Sequence, residues 1–213
     1  YTVGDLRNGG TATWEKVGVA ATTPSSQGAA AIDLANSLFV RTTHVGGASD
    51  LAVWDLDKAS ATAPSTNGAV GVQLVFADGS PFTMTTNFGI DYDQSDGRLY
   101  LWNGVAGGKV YTTTAEMTAG GAIDTQWIVT ELSSATGQTP NVNSFNGVLG
   151  KWQYVAELDA FVALDEFSLA AQDAGVWLYK PAEVTAVPEP GSWALLLAGL
   201  SVVLWRAKRR GTA

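Results

Sequence analysis

One short pattern recurs along this chain and limits what it can fold into: an apolar run, a turn rich in Asp, Asn or Gly, and a second apolar run. It stands in AAAIDLANSLFVRT from Ala29, in NFGIDYDQSDGRLYLWN from Asn87 and in KWQYVAELDAFVALDE from Lys151. Each run is too short for a helix, and turn-forming residues bound it, so each block predicts a β-hairpin. The second strands are expected at Leu38 to Val40, Leu99 to Trp102 and Phe161 to Leu164. A third strand with an aromatic near its centre follows each time, at Trp54, Tyr111 and Trp177, and a fourth can follow, from Gly71 and around Trp127. The opening residues match third and fourth strands, pairing Tyr1 with Tyr111 and Trp14 with Trp127. The expectation is a chain that starts in mid-repeat, with further repeats and a signal peptide preceding Tyr1 in the natural protein.

Four-stranded units joined by Gly, Ser and Thr-rich loops predict an all-β fold, a partial, open β-propeller-like repeat region over residues 1–182 with blade blocks at about 1–19, 29–76, 87–132 and 151–180. In that reading Trp14, Trp54, Trp127 and Trp177 pack blade on blade. The alternative is a two-sheet β-sandwich, which is also built from short strands and Gly-rich turns. A charged fraction of 15% and 24 Gly suit either better than a helical protein. The segments DYDQSDGRLYLWNG and GKWQYVAELDAFVALDE, followed by VWLYKP, resemble blades of kelch or galactose-oxidase-type propellers. The Gly doublets Gly46-Gly47, Gly107-Gly108 and Gly120-Gly121 fall elsewhere than that family places its own.

The last residues follow a different logic. Pro188 and Pro190 cannot sit inside a regular helix and mark where the linker and tail, residues 183–213, leave the globular part. From Gly191 to Trp205 no residue is charged, and Arg206, Lys208, Arg209 and Arg210 follow at once. This order predicts one transmembrane helix over residues 191–205, with Trp193, Leu195, Leu196, Leu197, Leu200, Val202, Val203, Leu204 and Trp205 facing lipid and the basic end, residues 206–213, kept cytoplasmic. Fifteen helical residues span roughly 22 Å against a hydrocarbon core of about 30 Å. That is short for an independent anchor. Val187, Pro188, Glu189 and Pro190, followed by the apolar run and the basic end, resemble the PEP-CTERM sorting signal of exported proteins in Gram-negative bacteria. The resemblance implies an exosortase-type processing enzyme and the lipid bilayer as partners. It also implies insertion in the inner membrane first and a cell-surface or extracellular location afterwards.

Acidic residues number 20 against 12 basic ones, a formal net charge of −8, and no basic cluster precedes Arg206. Nucleic acid is therefore not an expected partner, since phosphate binding needs clustered cations. With no Cys, disulfides and thiolate chemistry are excluded. Asp91, Asp93 and Asp96 in DYDQSDG have carboxylates spaced as in a calcium loop, but Trp102 stands where the bidentate Glu belongs, and a polar hairpin turn explains the same residues. Glu157 with Asp159, and Asp165 with Glu166, are the candidates for a glycosidase acid and base, or are ordinary turn acids. His44, the single histidine, has no second ligand or nucleophile near it in sequence. No cofactor and no catalytic set is expected. The reading is an exported surface or matrix protein with a non-catalytic binding or structural domain and extracellular polysaccharide as candidate ligand. The alternative is a propeller-based carbohydrate-active hydrolase or lyase with some of its acids upstream of Tyr1.

Overall fold

The computed structural model describes residues 14–19, 28–43, 49–84, 88–104, 109–132, 140, 147–165 and 175–181. The chain divides into two compact units, Tyr1–Lys180 and Pro181–Ala213. Among the described residues there are eleven strands and no α-helix: β1 (Ala30–Asp33), β2 (Leu38–Thr42), β3 (Leu51–Asp55), β4 (Val70–Val75), β5 (Gly89–Asp93), β6 (Arg98–Trp102), β7 (Val110–Thr113), β8 (Gln126–Glu131), β9 (Trp152–Val155), β10 (Ala160–Leu164) and β11 (Val176–Tyr179). Three single 3₁₀ turns are the only helical elements among them. The fold of this unit is all-β.

The strands form three antiparallel meanders: β1 to β4, β5 to β8, and β9 to β11. Each opens with the hairpin read from the sequence, and all three close it alike. Four residues separate the strands, and the last of them is left-handed: Ser37 (φ 53°), Gly97 (φ 74°) and Asp159 (φ 47°). The residue ending the first strand is Asp33 or Asp93 in the first two meanders, and its carboxylate accepts turn N–H groups: Ala35 and Asn36 for Asp33, Ser95 for Asp93. This is the side-chain mimic of a backbone turn that makes Asp common at such corners. The first two meanders are also joined at their far edges, where β4 and β8 run parallel through Gln73↔Gln126, Leu74↔Trp127 and Val75↔Ile128. The result is one eight-stranded sheet folded back on itself, and the pairing covers two edges that would otherwise stand open.

Strand alternation gives each meander two faces, and the faces stack in order. One face of the first meander (Leu38, Val40, Leu51, Val53, Val72, Leu74) meets one face of the second (Ile90, Tyr92, Leu99, Leu101, Trp127, Val129), and all of these are buried. The opposite face of the second (Tyr100, Trp102, Val110) meets the third through Trp152, Phe161 and Ala163. The first strands run side by side, β1 along β5 and β5 along β9. Each core therefore lies between consecutive repeats rather than inside one.

The register corrects the alignment of the aromatics. Tyr111 pairs with Leu101 and Trp177 with Ala163, which are equivalent positions of their hairpins. Trp54 pairs with Phe39, whose equivalents are Leu99 and Phe161, so its true counterparts are Thr113 and Tyr179. The displacement is two residues and keeps the same face, so period-two reasoning cannot detect it. Trp14 is fully exposed at 104% while Trp127 is fully buried at 0%, so the two do not share a packing role. The described opening residues form no strand but lie along the Asn67–Ala69 segment: Val19 bridges Gly68, its N–H donates to Asn67 O (2.9 Å), and its carbonyl accepts the Ala69 N–H (3.1 Å) and the Trp54 Nε1–H (2.8 Å).

Candidate functional site

The first strands converge on an open cleft of about 490 Å³. Ile32 and Leu34 from the first hairpin, Phe39 from β2, Asp91 and Gln94 from the second hairpin, and Tyr154 from β9 supply most of its wall. Ile32 and Leu34 are large apolar side chains left 47% and 62% exposed, which gives the cleft an apolar lip. The Asp91 carboxylate accepts the Tyr154 N–H (2.7 Å) and the Tyr92 N–H (2.8 Å). Burial pushes its pKa above the usual carboxylate range, and these two bonds oppose the shift. The Tyr154 hydroxyl donates to Asp159 (3.1 Å), and its pKa is pushed up to about 12, chiefly by desolvation. Aromatic faces beside a few fixed polar groups suit a neutral, ring-shaped polar ligand.

Asp91, Asp93 and Asp96 are adjacent in sequence but engaged separately. Asp91 clamps β9 to β5. Asp93 accepts the backbone N–H (2.8 Å) and hydroxyl (2.7 Å) of Ser95 and closes the turn. Asp96 accepts the Arg98 N–H (3.0 Å) and the Tyr100 hydroxyl (2.7 Å). Desolvation raises the pKa of Asp96 and is the largest cause of a strongly raised Tyr100. Among the described residues no group of three or more His, Cys, Asp or Glu is placed to hold a metal ion.

The acids considered for glycoside chemistry are dispersed in the same way. Asp159, at the left-handed corner of the third hairpin, takes the Tyr154 hydroxyl, the Ser95 hydroxyl (3.2 Å) and the Lys180 ammonium (3.4 Å). The first of these is the main reason its pKa lies below the usual range. Glu157 is exposed in the same turn. Asp165 accepts the Gly175 N–H and the Trp177 Nε1–H (2.9 Å), tying the end of β10 to the start of β11. Glu166 and His44 lie outside the described residues. Ile32, Leu34, Gln94 and Tyr154 were not singled out from sequence, because none has a spacing that signals chemistry. Only the folding of three hairpins toward one axis brings them together.

The sorting motif Val187–Pro190, the expected span 191–205 and the basic end 206–213 also lie outside the described residues. Among the described residues no helix is long and apolar enough to cross a membrane. Comparison with curated proteins and with solved structures finds no match. Comparison with family models finds the PEP-CTERM protein-sorting motif at residues 186–210. The chain thus carries, at its C-terminal end, the signal of an exported protein sorted by an exosortase-type system.

Proposed function

We propose that this chain is an exosortase-processed cell-surface or extracellular-matrix protein whose β domain, residues 1–182, binds extracellular material without catalysis. The PEP-CTERM match at residues 186–210 is the observation that carries the reading. In it, the helix over residues 191–205 holds the protein in the inner membrane, the cations after Trp205 fix its orientation, and the exosortase acts near Val187–Pro190. Replacing Pro188, Glu189 and Pro190 together by Ala leaves membrane insertion intact and blocks processing. Deleting the basic end weakens retention. Fractionation of producing cells with an antibody to the β domain measures both. Equal processing of the wild-type and triple-Ala chains would refute exosortase recognition.

The domain is a set of propeller-type blades. Three stacked layers support this over a two-layer sandwich, since the third meander packs on the back of the second. The ligand is extracellular polysaccharide, held in the cleft by Tyr154, Gln94 and the apolar lip. Asp91 is the only carboxylate among the described residues lining that cleft, which favours binding over paired acid–base chemistry. Isothermal titration with purified matrix polysaccharide tests it. Gln94→Ala and Leu34→Ser should each weaken binding about tenfold, and unchanged affinity in both would remove the cleft from the proposal.

A further inference from the structure

The wall of the cleft divides into two chemically distinct sides. One is an aliphatic lip: Ala30, Ile32 and Leu34 from the first hairpin and Ala156 from the third, all of them exposed. The other side holds a short inventory of polar groups. Each Asp91 carboxylate oxygen already accepts one N–H, from Tyr92 (2.8 Å) or Tyr154 (2.7 Å), and keeps capacity for one more donor. Gln94 is exposed and brings both an amide oxygen and an amide NH₂. The Tyr154 hydroxyl donates to Asp159 (3.1 Å), so towards a ligand it can only accept. No Lys, Arg or His is among the described residues that line the cleft. The half-buried rings of Phe39 and Tyr154 offer faces on which any pyranose can lie, so the lip and the charge are what discriminate between sugars.

Two classes of sugar fit this wall badly. A uronic acid or a sulfated sugar would bring an anion beside Asp91 with no cation among the described lining residues to pair it, and an unpaired charge is the costliest group to desolvate. A fully hydroxylated hexose has the right charge but turns hydroxyls towards the lip, where they lose water and gain no partner. A methyl group in the same place avoids that loss and buries apolar surface instead. We infer that the cleft selects a neutral sugar bearing a methyl group, as a deoxyhexose or an acetylated hexose, with the methyl against Ile32 and Leu34 and the hydrogen-bonding edge towards Asp91 and Gln94. This selection rests on the polysaccharide reading proposed above and narrows it. The volume of about 490 Å³ is that of a small-ligand cleft, so the site reads a short stretch of the polymer rather than its length.

Isothermal titration of the full-length chain, held in a detergent without a sugar headgroup, tests the selection with matched probes. Methyl L-fucoside and methyl L-galactoside differ only in a methyl against a hydroxymethyl group. Methyl N-acetylglucosaminide and methyl glucoside differ only in an acetamido group against a hydroxyl, and methyl glucuronide adds the anion. The methyl-bearing member of at least one pair should bind about tenfold more tightly, and the glucuronide more weakly than the glucoside. The pair that shows the preference tells a deoxy sugar from an acetylated one. Ile32→Thr with Leu34→Ser should abolish the preference and leave the fully hydroxylated member's affinity in place, whereas Gln94→Ala should weaken both members alike. The two lip side chains are exposed, so the double variant keeps its fold, which circular dichroism checks. Equal affinities within both pairs, no binding of any probe, a glucuronide bound as tightly as the glucoside, or a preference that survives the lip variant would each overturn the selection. In those cases loss of polysaccharide binding in Gln94→Ala would still uphold the cleft as the binding site, and polysaccharide binding indifferent to every variant would overturn both.

Discussion

The two interfaces inside this domain use the same geometry and different materials. Between the first and second meanders the core is largely aliphatic, with Leu38, Val40, Leu51, Val53, Leu74, Ile90, Leu99 and Leu101 sealed from solvent, and the β4–β8 ladder hydrogen-bonds the two layers along one edge. Among the described residues no ladder joins the second and third. Aromatic rings fill the space: Trp152 stacks on Phe161 (4.6 Å, 10°), and Tyr100 and Trp102 lean on the pair. Single bonds span the gap, from Trp152 Nε1 to Tyr100 O (3.2 Å) and from Tyr154 N to Asp91 (2.7 Å). A ladder makes two layers one cooperative unit, whereas stacked rings and isolated bonds leave a layer able to come away. The third meander is therefore expected to open first in native-state hydrogen exchange.

Truncating Phe161 tests this most severely. Phe161→Ala removes the ring at the centre of the second interface and should cost about 3–5 kcal/mol. Exchange protection should be lost in β9 to β11 and kept in β5 and β6. Its equivalent, Leu99→Ala, should cost about 2–5 kcal/mol and release all three meanders together. If Phe161→Ala reduces protection equally in β1 to β4, the two interfaces are not separable.

Gly89 gives a smaller and sharper test. A Cβ there would meet Val148 Cγ1 at 2.6 Å and Trp152 Cβ at 2.8 Å, and the second of these cannot move without β9. Gly89→Ala should therefore destabilise by about 1–3 kcal/mol, confined to the second interface. A denaturation midpoint equal to wild type would mean the layers are looser than these distances imply.

The smallest effect concerns the Asp91 clamp and pH. Its pKa is higher folded than unfolded, so the folded chain holds the proton more tightly and ionisation works against folding. Stability from this group is fully present below the ordinary carboxylate pKa, about 3.9, falls as pH rises through the raised folded value, and is flat above it. Asp50 and Asp96 shift the same way, also through burial. Asp91→Asn should remove its share of the slope and leave theirs, read as thermal midpoints in buffers from about pH 3.5 to 7. An unchanged slope would show that burial between the layers does not raise this carboxylate's pKa.

The hairpins were legible because alternating apolar residues and Asp or Gly corners are local signals. The tail motif was legible because it is linear. The parallel β4–β8 ladder was not, since it joins strands that are distant in sequence and nothing in either announces a partner. Trp54 was placed two residues off because an aromatic near a strand centre says which face it takes and not which residue it faces. Asp91 read as one of three turn acids, whereas its work lies between layers, on the backbone of Tyr154. The cleft has no sequence signature at all, being assembled from the first strands and turns of three separate hairpins.

The left-handed corner common to Ser37, Gly97 and Asp159 also bears on the order of folding. That angle is free to Gly and costs other residues about 1 kcal/mol or more. The middle hairpin, closed by Gly97, is thus the one that can form early, within microseconds, before its neighbours have reason to hold their corners. Growth would then proceed outward from the centre of the stack, each flanking hairpin templated on a sheet already in place. Gly97→Ala should accordingly slow folding more than it speeds unfolding, while a change at Ser37 or Asp159 should do the reverse. Stopped-flow kinetics of the three variants would reveal whether the chain builds itself from the middle or from an end.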